Sequence, residues 1–412
     1  MTQNPERLTK ELTRELENIL KYWTEFGVDH QFGGFVGRRD YLNWQISGAS
    51  KGAVLNARIL WSFSAAYNFT KNRDYLILAD RAFQYLTTYF EDKQFGGLVW
   101  ELDENGKVLN GRKQIYAQGF GIYGYSEYYK ASKNPKALEA AIALFELIEK
   151  HSFDAAKGGY LEAFANDWSE LEDFRLSTKD ANEPKTMNTH LHILEPYTNL
   201  LKVWPDDRLK EQTTALIRIF LDKIINKNTH HFNLFFDLNW TVRSSIVSFG
   251  HDIEGAWLLY EAALVVGDDL LISEVKDNLI RIVDATMKDG SDTDGSIFNE
   301  KETISGHIDT DKHWWMQAEA MVGLAYAWKT TGKVVYLNEA VRIWRFIQKS
   351  IIDPVNGEWF WRVDKGGAPN TSEDKMGFWK CPYHNSRALM EVIGIVSELP
   401  DKCNELRLFK VK

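Results

Sequence analysis

Between Leu8 and Trp23 the apolar residues fall at Leu8, Leu12, Leu16, Ile19, Leu20 and Trp23, with charged residues between them. Steps of three and four residues put all six on one face of a helix. Comparable stretches recur near 51–70, 73–91, 113–132, 135–151, 185–203, 208–226, 250–266, 269–288, 312–331, 334–350 and 380–397, which predicts about twelve helices. Between pairs of helices the period changes. "HQFGGFVGRRD", "KQFGGLVWELD", "AAKGGYLEAFANDW", "HHFNLFFDLNW", "DTDGSIFNE" and "VNGEWFWRVD" each read as a turn followed by a short alternating aromatic segment, hence a small hairpin.

Taken at Gly33, Gly96, Gly158, Asn233, Gly295 and Gly357, these turns recur about every 62 residues, with one interval of about 75. The longer interval holds "NDWSELEDFRLSTKDANEPK" (166–185), which reads as an inserted loop, with 165–184 expected at the cavity mouth. Six units of two helices each can stack as an open array or close into a ring. An open array needs polar capping helices, and the two terminal helices here are as apolar on one face as the others. The expectation is an all-α (α/α)6 barrel forming a single domain over 1–412.

The helix after each hairpin is unusual. "GAVLNARILWSF", "RKQIYAQGFGIYG", "MNTHLHILEPY", "FGHDIEGAWLL", "KHWWMQAEAMVG" and "KCPYHNSRALME" set His, Trp and Arg among small and apolar residues, mostly in the first turns. The alternate helices have ordinary polar and apolar faces. The former are read as inner helices whose N-terminal ends open on one cavity. Buried polar groups cost free energy unless paired, so six such clusters at equivalent positions suggest a site.

Composition narrows the chemistry. A formal net charge of -9 argues against nucleic acid as a partner. The two cysteines, Cys381 and Cys403, form no CxxC motif, which suits a reducing cytoplasm. The charged N-terminus lacks the apolar core of a signal peptide, and no run is apolar enough for a membrane span. Fifteen tryptophans exceed what a core usually needs, so either they fill broad interhelical gaps or some line a pocket for a flat-faced ligand.

His190 and His192 lie two apart on a helix, about 200° around the axis, so they cannot converge on one metal ion. No HExxH motif or carboxylate-rich cluster accompanies them, so no metal is expected. Asn188, His192 and Glu195 share a face; His192 is placed toward the cavity and His190 against a neighbour, with a structural His–Glu pair as the alternative. His251 and Glu254 stand three apart near a helix start, where the carboxylate can orient the ring, while Asp252 is a possible cap. His384 follows Pro382 in a first turn, where the helix dipole disfavours imidazolium, and Arg387 lies one turn on. Trp314, Trp315 and Trp379 can stack on sugar rings, although core packing accounts equally well for one of the first two. Arg58 and Tyr116 can hydrogen-bond a substrate oxygen.

Histidines on different inner helices, without a nucleophile motif or phosphate loop, suggest proton transfer at a carbon acid. The segments "MNTHLHILEPYTNL", "FGHDIEGAWLL", "HWWMQAEAMVG" and "GFWKCPYHNSRA" resemble the signature segments of the cellobiose 2-epimerase family, within the N-acylglucosamine 2-epimerase superfamily. The resemblance implies a cofactor-independent (α/α)6 barrel that inverts C2 of the reducing-end glucose of β-1,4-linked disaccharides such as cellobiose and lactose. It implies His251 and His384 as the acid/base pair, with His192 assisting ring opening or the enediolate. Arg58, Tyr116 and Asn188 would then contact the reacting sugar, Glu254 would support its histidine, and Trp314 and Trp379 would bind the sugar rings. A sugar substrate, a cytoplasmic location and a monomer or weak homodimer complete the expectation. Three other readings compete: a mannose 2-epimerase or mannose–fructose isomerase, an inverting glycoside hydrolase using Glu195 and Glu254, and a sugar-binding scaffold.

Overall fold

Six short turns set the plan of the molecule. Each is closed by one antiparallel bridge: Val28 to Phe35, Glu91 to Leu98, Phe153 to Tyr160, Ile225 to Phe232, Ser291 to Ile297 and Ile352 to Trp359. These are the six units that the glycine spacing predicts, seen in a computed structural model that describes residues 5–398. Cys403 lies outside the described residues. Gly96 and Gly97 show why glycine marks the turns: both take φ +75, a backbone region that side-chained residues rarely adopt.

The residue after each bridge start is Asp29, Asp92, Asp154, Asn226, Asp292 or Asp353. In most units one side-chain oxygen accepts from the backbone N–H groups two and three residues on, as between Asp29 and Gln31 and Phe32. The other carboxylate oxygen accepts from a buried lysine: Lys51, Lys113, Lys185, Lys312 and Lys375 in five units, all at 2.7 or 2.8 Å. The fourth unit has Asn226 at the turn and Val247 at the lysine's place, so both charges are missing together. This is what burial requires, since either charge alone would be uncompensated.

Twelve α-helices occur among the described residues: α1 (Pro5–Phe26), α2 (Ala53–Thr70), α3 (Arg73–Tyr85), α4 (Ile115–Ser132), α5 (Pro135–His151), α6 (Met187–Leu201), α7 (Asp207–Ile219), α8 (Phe249–Val266), α9 (Asp269–Gly290), α10 (Trp314–Thr331), α11 (Val334–Phe346) and α12 (Tyr383–Ser397). The odd-numbered helices bury one face. The even-numbered ones are buried nearly all round. Helices α2, α4, α6, α8, α10 and α12 each pack on the next, and α12 packs back on α2. The ring is closed, and the architecture is an (α/α)6 barrel.

The predicted helix ends need one systematic correction. Helices α2, α4, α6 and α10 begin two residues later than the periodicity suggests, because the preceding pair is a strand, whereas α8 begins one residue earlier and α12 three later. Lys51–Gly52 pairs with Glu101–Leu102, Lys113–Gln114 with Ala163–Phe164, Lys185–Thr186 with Phe235–Phe236, and Lys312–His313 with Arg362–Val363. Ile246–Ser248 pairs likewise with Glu300–Glu302. Strands therefore join each inner helix to the next unit, in addition to the hairpins expected within units. The same join satisfies the helix starts: Ala53, Ile115, Met187 and Trp314 donate their N–H to Trp100, Glu162, Leu234 and Trp361 of the following unit. Outer helices use side-chain caps instead, such as Asn72, Asn134, Asp206 and Asp268. Apart from α6, whose Thr186 hydroxyl accepts from the Thr189 N–H, the inner helices have no side-chain cap, and their first turns carry chemistry instead.

Candidate active site

Those first turns surround a cavity of about 370 Å³. Helix α2 contributes Arg58, α4 Tyr116, α6 Asn188 and His192, and α8 His251 and Glu254. Helix α10 adds Trp314 and Trp315; Trp379 and His384 come from the approach to α12 and its first turn. The nine side chains to which the resemblance gives roles all line this cavity, with Trp315 beside them. A second cavity of about 500 Å³ adjoins it and shares Asn188, His251, His313 and Trp315. Leu176, Ser177, Lys179 and Asp180 of the inserted loop wall both cavities.

Each histidine is held through Nδ1 by a different partner. His192 meets Glu195 at 3.0 Å, His251 meets the Ser248 hydroxyl at 2.8 Å, and His384 meets Glu319 at 2.7 Å. A carboxylate accepts, so His192 and His384 carry hydrogen on Nδ1 and leave Nε2 free as a base. The indole of Trp315 packs against both His251 and His384, with ring centroids 4.8 and 5.5 Å away. Burial pushes the His251 imidazole down to about 3. Burial, reinforced by the charges of Arg58 and Arg387, holds His384 well below its usual range. Burial also outweighs Glu195 in lowering His192. All three rings are uncharged at neutral pH.

The Arg58 guanidinium donates to the Tyr116 hydroxyl at 2.7 Å and lies over the rings of Phe120 and Tyr383, 4.2 and 4.7 Å from their centroids. Tyr116 in turn packs its ring edge against His192 at 4.8 Å. The Asn188 Oδ1 atom is buried without a partner, as is Oε2 of Glu254. Such orphaned acceptors on a cavity wall are free to bind a ligand.

Arg387 sits beneath this layer. It donates to Glu195, to Glu254 at 2.8 Å and to Glu319 at 2.7 Å. Burial opposes charge on Glu195, yet Arg387 and His192 bring it down to about 2. Burial and the neighbouring Glu319 push Glu254 far up. Glu319 accepts from Trp257, Arg387 and His384, whereas Glu254 accepts from Arg387 alone. Of the two, Glu254 keeps the proton. Among the described residues, Glu254, Glu319 and His384 are one group whose ligand atoms, all within 4.8 Å of one another, could hold an ion. The Arg387 guanidinium already supplies the positive charge there.

Two expectations are corrected. Glu254 does not orient His251: Ser248 does, and Glu254 turns to Arg387, coming within 3.8 Å of His384 instead. Sharing a helix face put the two residues close, but the buried guanidinium was the stronger attraction. Asp252 does not cap its helix; it accepts from the Phe232 N–H and contacts His231, both at 2.7 Å. Arg387 could either keep His384 uncharged or bind the ligand: it does the first, and it lines neither of the two cavities above, holding carboxylates and bordering a separate cavity instead. His190 packs away from the cavity as expected, accepting from the Tyr160 N–H at 2.9 Å.

A family model described as N-acylglucosamine 2-epimerase matches residues 34–388. The chain belongs to the N-acylglucosamine 2-epimerase family. Within it, the chain is 48% identical to the cellobiose 2-epimerase of Bacteroides fragilis, over 94% of this chain and 99% of that one. The solved structure of cellobiose 2-epimerase from Bacillus thermoamylovorans superposes with a TM-score of 0.90 at 38% identity, covering 94% and 99% of the two chains. A D-mannose isomerase structure superposes with a TM-score of 0.84 at 21% identity over 96% and 100%, a likeness of fold alone. Family membership adds sugar epimerisation to a site already suited to proton transfer.

Proposed function

We propose that the protein epimerises C2 of the reducing-end glucose in β-1,4-linked disaccharides, turning cellobiose into glucosyl-mannose and lactose into epilactose. The observation that carries this reading is the pair of uncharged imidazoles, His251 and His384, which both pack against Trp315 and line the same cavity. Similarity to cellobiose 2-epimerases near half identity supports the disaccharide. The adjoining cavity offers room for a second sugar ring.

Protons can be followed through the steps. Opening the pyranose moves the O1 proton to one imidazole, while O5 takes a proton from Glu254, whose Oε2 is otherwise unpartnered. The second imidazole then removes hydrogen from C2, and the C–H electron pair forms the C1–C2 double bond as charge moves to O1. Arg58 and the Tyr116 hydroxyl stabilise that oxygen, with His192 beside them. The first imidazole returns a proton to the opposite face of C2. Ring closure gives the O5 proton back to Glu254 and a proton from the second imidazole to O1. Asn188, Trp314 and Trp379 hold the sugar. No electrons leave the substrate, so side chains suffice and no cofactor enters the scheme.

We place the reaction in the cytoplasm, in a single catalytic domain working as a monomer or weak homodimer. No described helix is long and apolar enough to cross a membrane. The hydrolase reading fits poorly: Glu195 and Glu254 bind the same guanidinium and do not flank a cleft. Product analysis on cellobiose, lactose, mannose and N-acetylglucosamine in parallel, with chelator present, tests the proposal. Glucosyl-mannose and epilactose are expected; turnover of free mannose alone would replace it with the monosaccharide alternative.

A further inference from the structure

One buried acid has no part in these steps. Glu162 is 2% exposed. Its Oε1 accepts from the Thr186 N–H at 3.0 Å and the Thr186 hydroxyl at 2.8 Å; its Oε2 accepts from the Thr189 hydroxyl at 2.6 Å. Its main-chain carbonyl accepts from the N–H of Ile115 at 3.0 Å. The side chain therefore grips the first turn of α6 while the backbone grips the first residue of α4.

The repeat shows that this double grip is particular. Trp100, Leu234, Asn299 and Trp361 occupy the same place in other units, and each accepts a helix start through its carbonyl. Trp and Leu side chains have no acceptor to offer a second helix. Asn299 turns its amide to Asp309, 2.7 Å away. Among these five equivalent positions, Glu162 alone ties two inner helices, and these carry Tyr116, Asn188 and His192.

The junction has little slack. A Cβ placed on Gly119 of α4 would come within 2.2 Å of the His192 carbonyl oxygen, so the two backbones touch directly below the histidine. The N-terminal end of α6 is held from the next unit by Leu234 and the Phe235–Phe236 strand, and toward α4 by Glu162.

We propose that Glu162 is a positioning residue that fixes α6 against α4, and thereby sets Tyr116 opposite Asn188 and His192. The inference rests on the epimerase reading. A displacement of about 1 Å in such a constellation costs up to about a hundredfold in rate. The test uses the full chain with cellobiose, reading kcat, KM and melting temperature for E162A, E162Q and T189V. We expect kcat to fall about tenfold or more in E162A with KM changed less than about threefold. E162Q should regain most of this, since its carbonyl still accepts from Thr186 and its amide can donate to the Thr189 oxygen. T189V, which cuts one arm only, should lose several-fold.

Folded E162A with wild-type kcat overturns the proposal, as does a loss confined to KM, which would make Glu162 a sugar contact. If E162A does not fold, an unchanged kcat in T189V overturns it. A wild-type protein inactive on cellobiose would defeat the epimerase reading instead, so the two failures are distinct.

Discussion

Glu319→Gln isolates the hydrogen bond that fixes His384. In the protein, Oε1 accepts from His384 Nδ1–H and Arg387, both at 2.7 Å, and Oε2 accepts from the Trp257 indole N–H at 3.0 Å. A glutamine must turn its amide one way or the other. With the carbonyl toward His384 and Arg387, its NH2 confronts the Trp257 N–H. With the NH2 toward His384, it donates to Nδ1, moves the ring hydrogen to Nε2 and removes the free base. Either way one buried donor loses its acceptor, at about 1–3 kcal/mol. The larger cost of an unpaired buried charge, about 3–5 kcal/mol, does not arise, because Arg387 keeps Glu195 and Glu254. The melting temperature should therefore fall by less than about 10 °C. In the second orientation the rate should fall by about 10²–10⁴, the usual worth of a positioned general base; in the first it should fall by about tenfold, because a neutral carbonyl supports the imidazolium formed in the reaction more weakly than a carboxylate does. Steady-state kinetics on cellobiose beside a thermal melt would check both. A folded variant within threefold of the wild-type kcat would refute the assignment of His384 Nε2 as a base held by Glu319.

Four further outcomes follow from the same geometry. Because burial pushes His251 down to about 3 and His384 is also depressed in the free protein, kcat/KM should show no histidine titration between about pH 8 and pH 5; a limb near 6.5 would mean a solvated imidazole. Stability should fall as pH drops below about 6.5, since the unfolded chain then takes up protons that His251 and His190 refuse until about 3 and about 4; chemical denaturation at pH 7 and pH 5 measures the difference. Lys113→Val should cost about 3–5 kcal/mol by stranding Asp92, and adding Asp92→Asn should recover more than half, because the fourth unit folds with Asn226 and Val247 at these places. Asn188→Ala should raise KM for cellobiose several-fold with a smaller effect on melting temperature, as the lost Oδ1 has no partner inside the protein.

The barrel was legible because helical period and turn signals are local. One-faced helices alternate with helices buried all round, and that difference is written in residue type. Strand pairs before the inner helices were misread as helix because their partners lie in the next unit. A visible signal was passed over: Lys51, Lys113, Lys185 and Lys312 each stand two residues before an inner helix, too regular for surface lysines. In the site, the cavity residues stood out as polar groups in apolar helices. Their supports did not. Glu319 looks like an ordinary helix former in "WWMQAEAMVG", and its partner His384 is 65 positions away. Ser248 is a small polar residue at a helix start with nothing to distinguish it. Glu254 was assigned to its helix neighbour because local spacing cannot show a guanidinium arriving from α12.

The central claim is that a carbon-bound hydrogen leaves one face of C2 and a proton returns to the other. The most direct test is incubation with cellobiose in heavy water, following C2 of the reducing sugar by NMR. The account predicts deuterium at C2 of the glucosyl-mannose formed, and loss of that incorporation in His251→Asn and His384→Asn. Glucosyl-mannose carrying only protium at C2 from the first turnovers would contradict exchange through two solvent-connected imidazoles, and cellobiose left unexchanged and unconverted would contradict the account altogether.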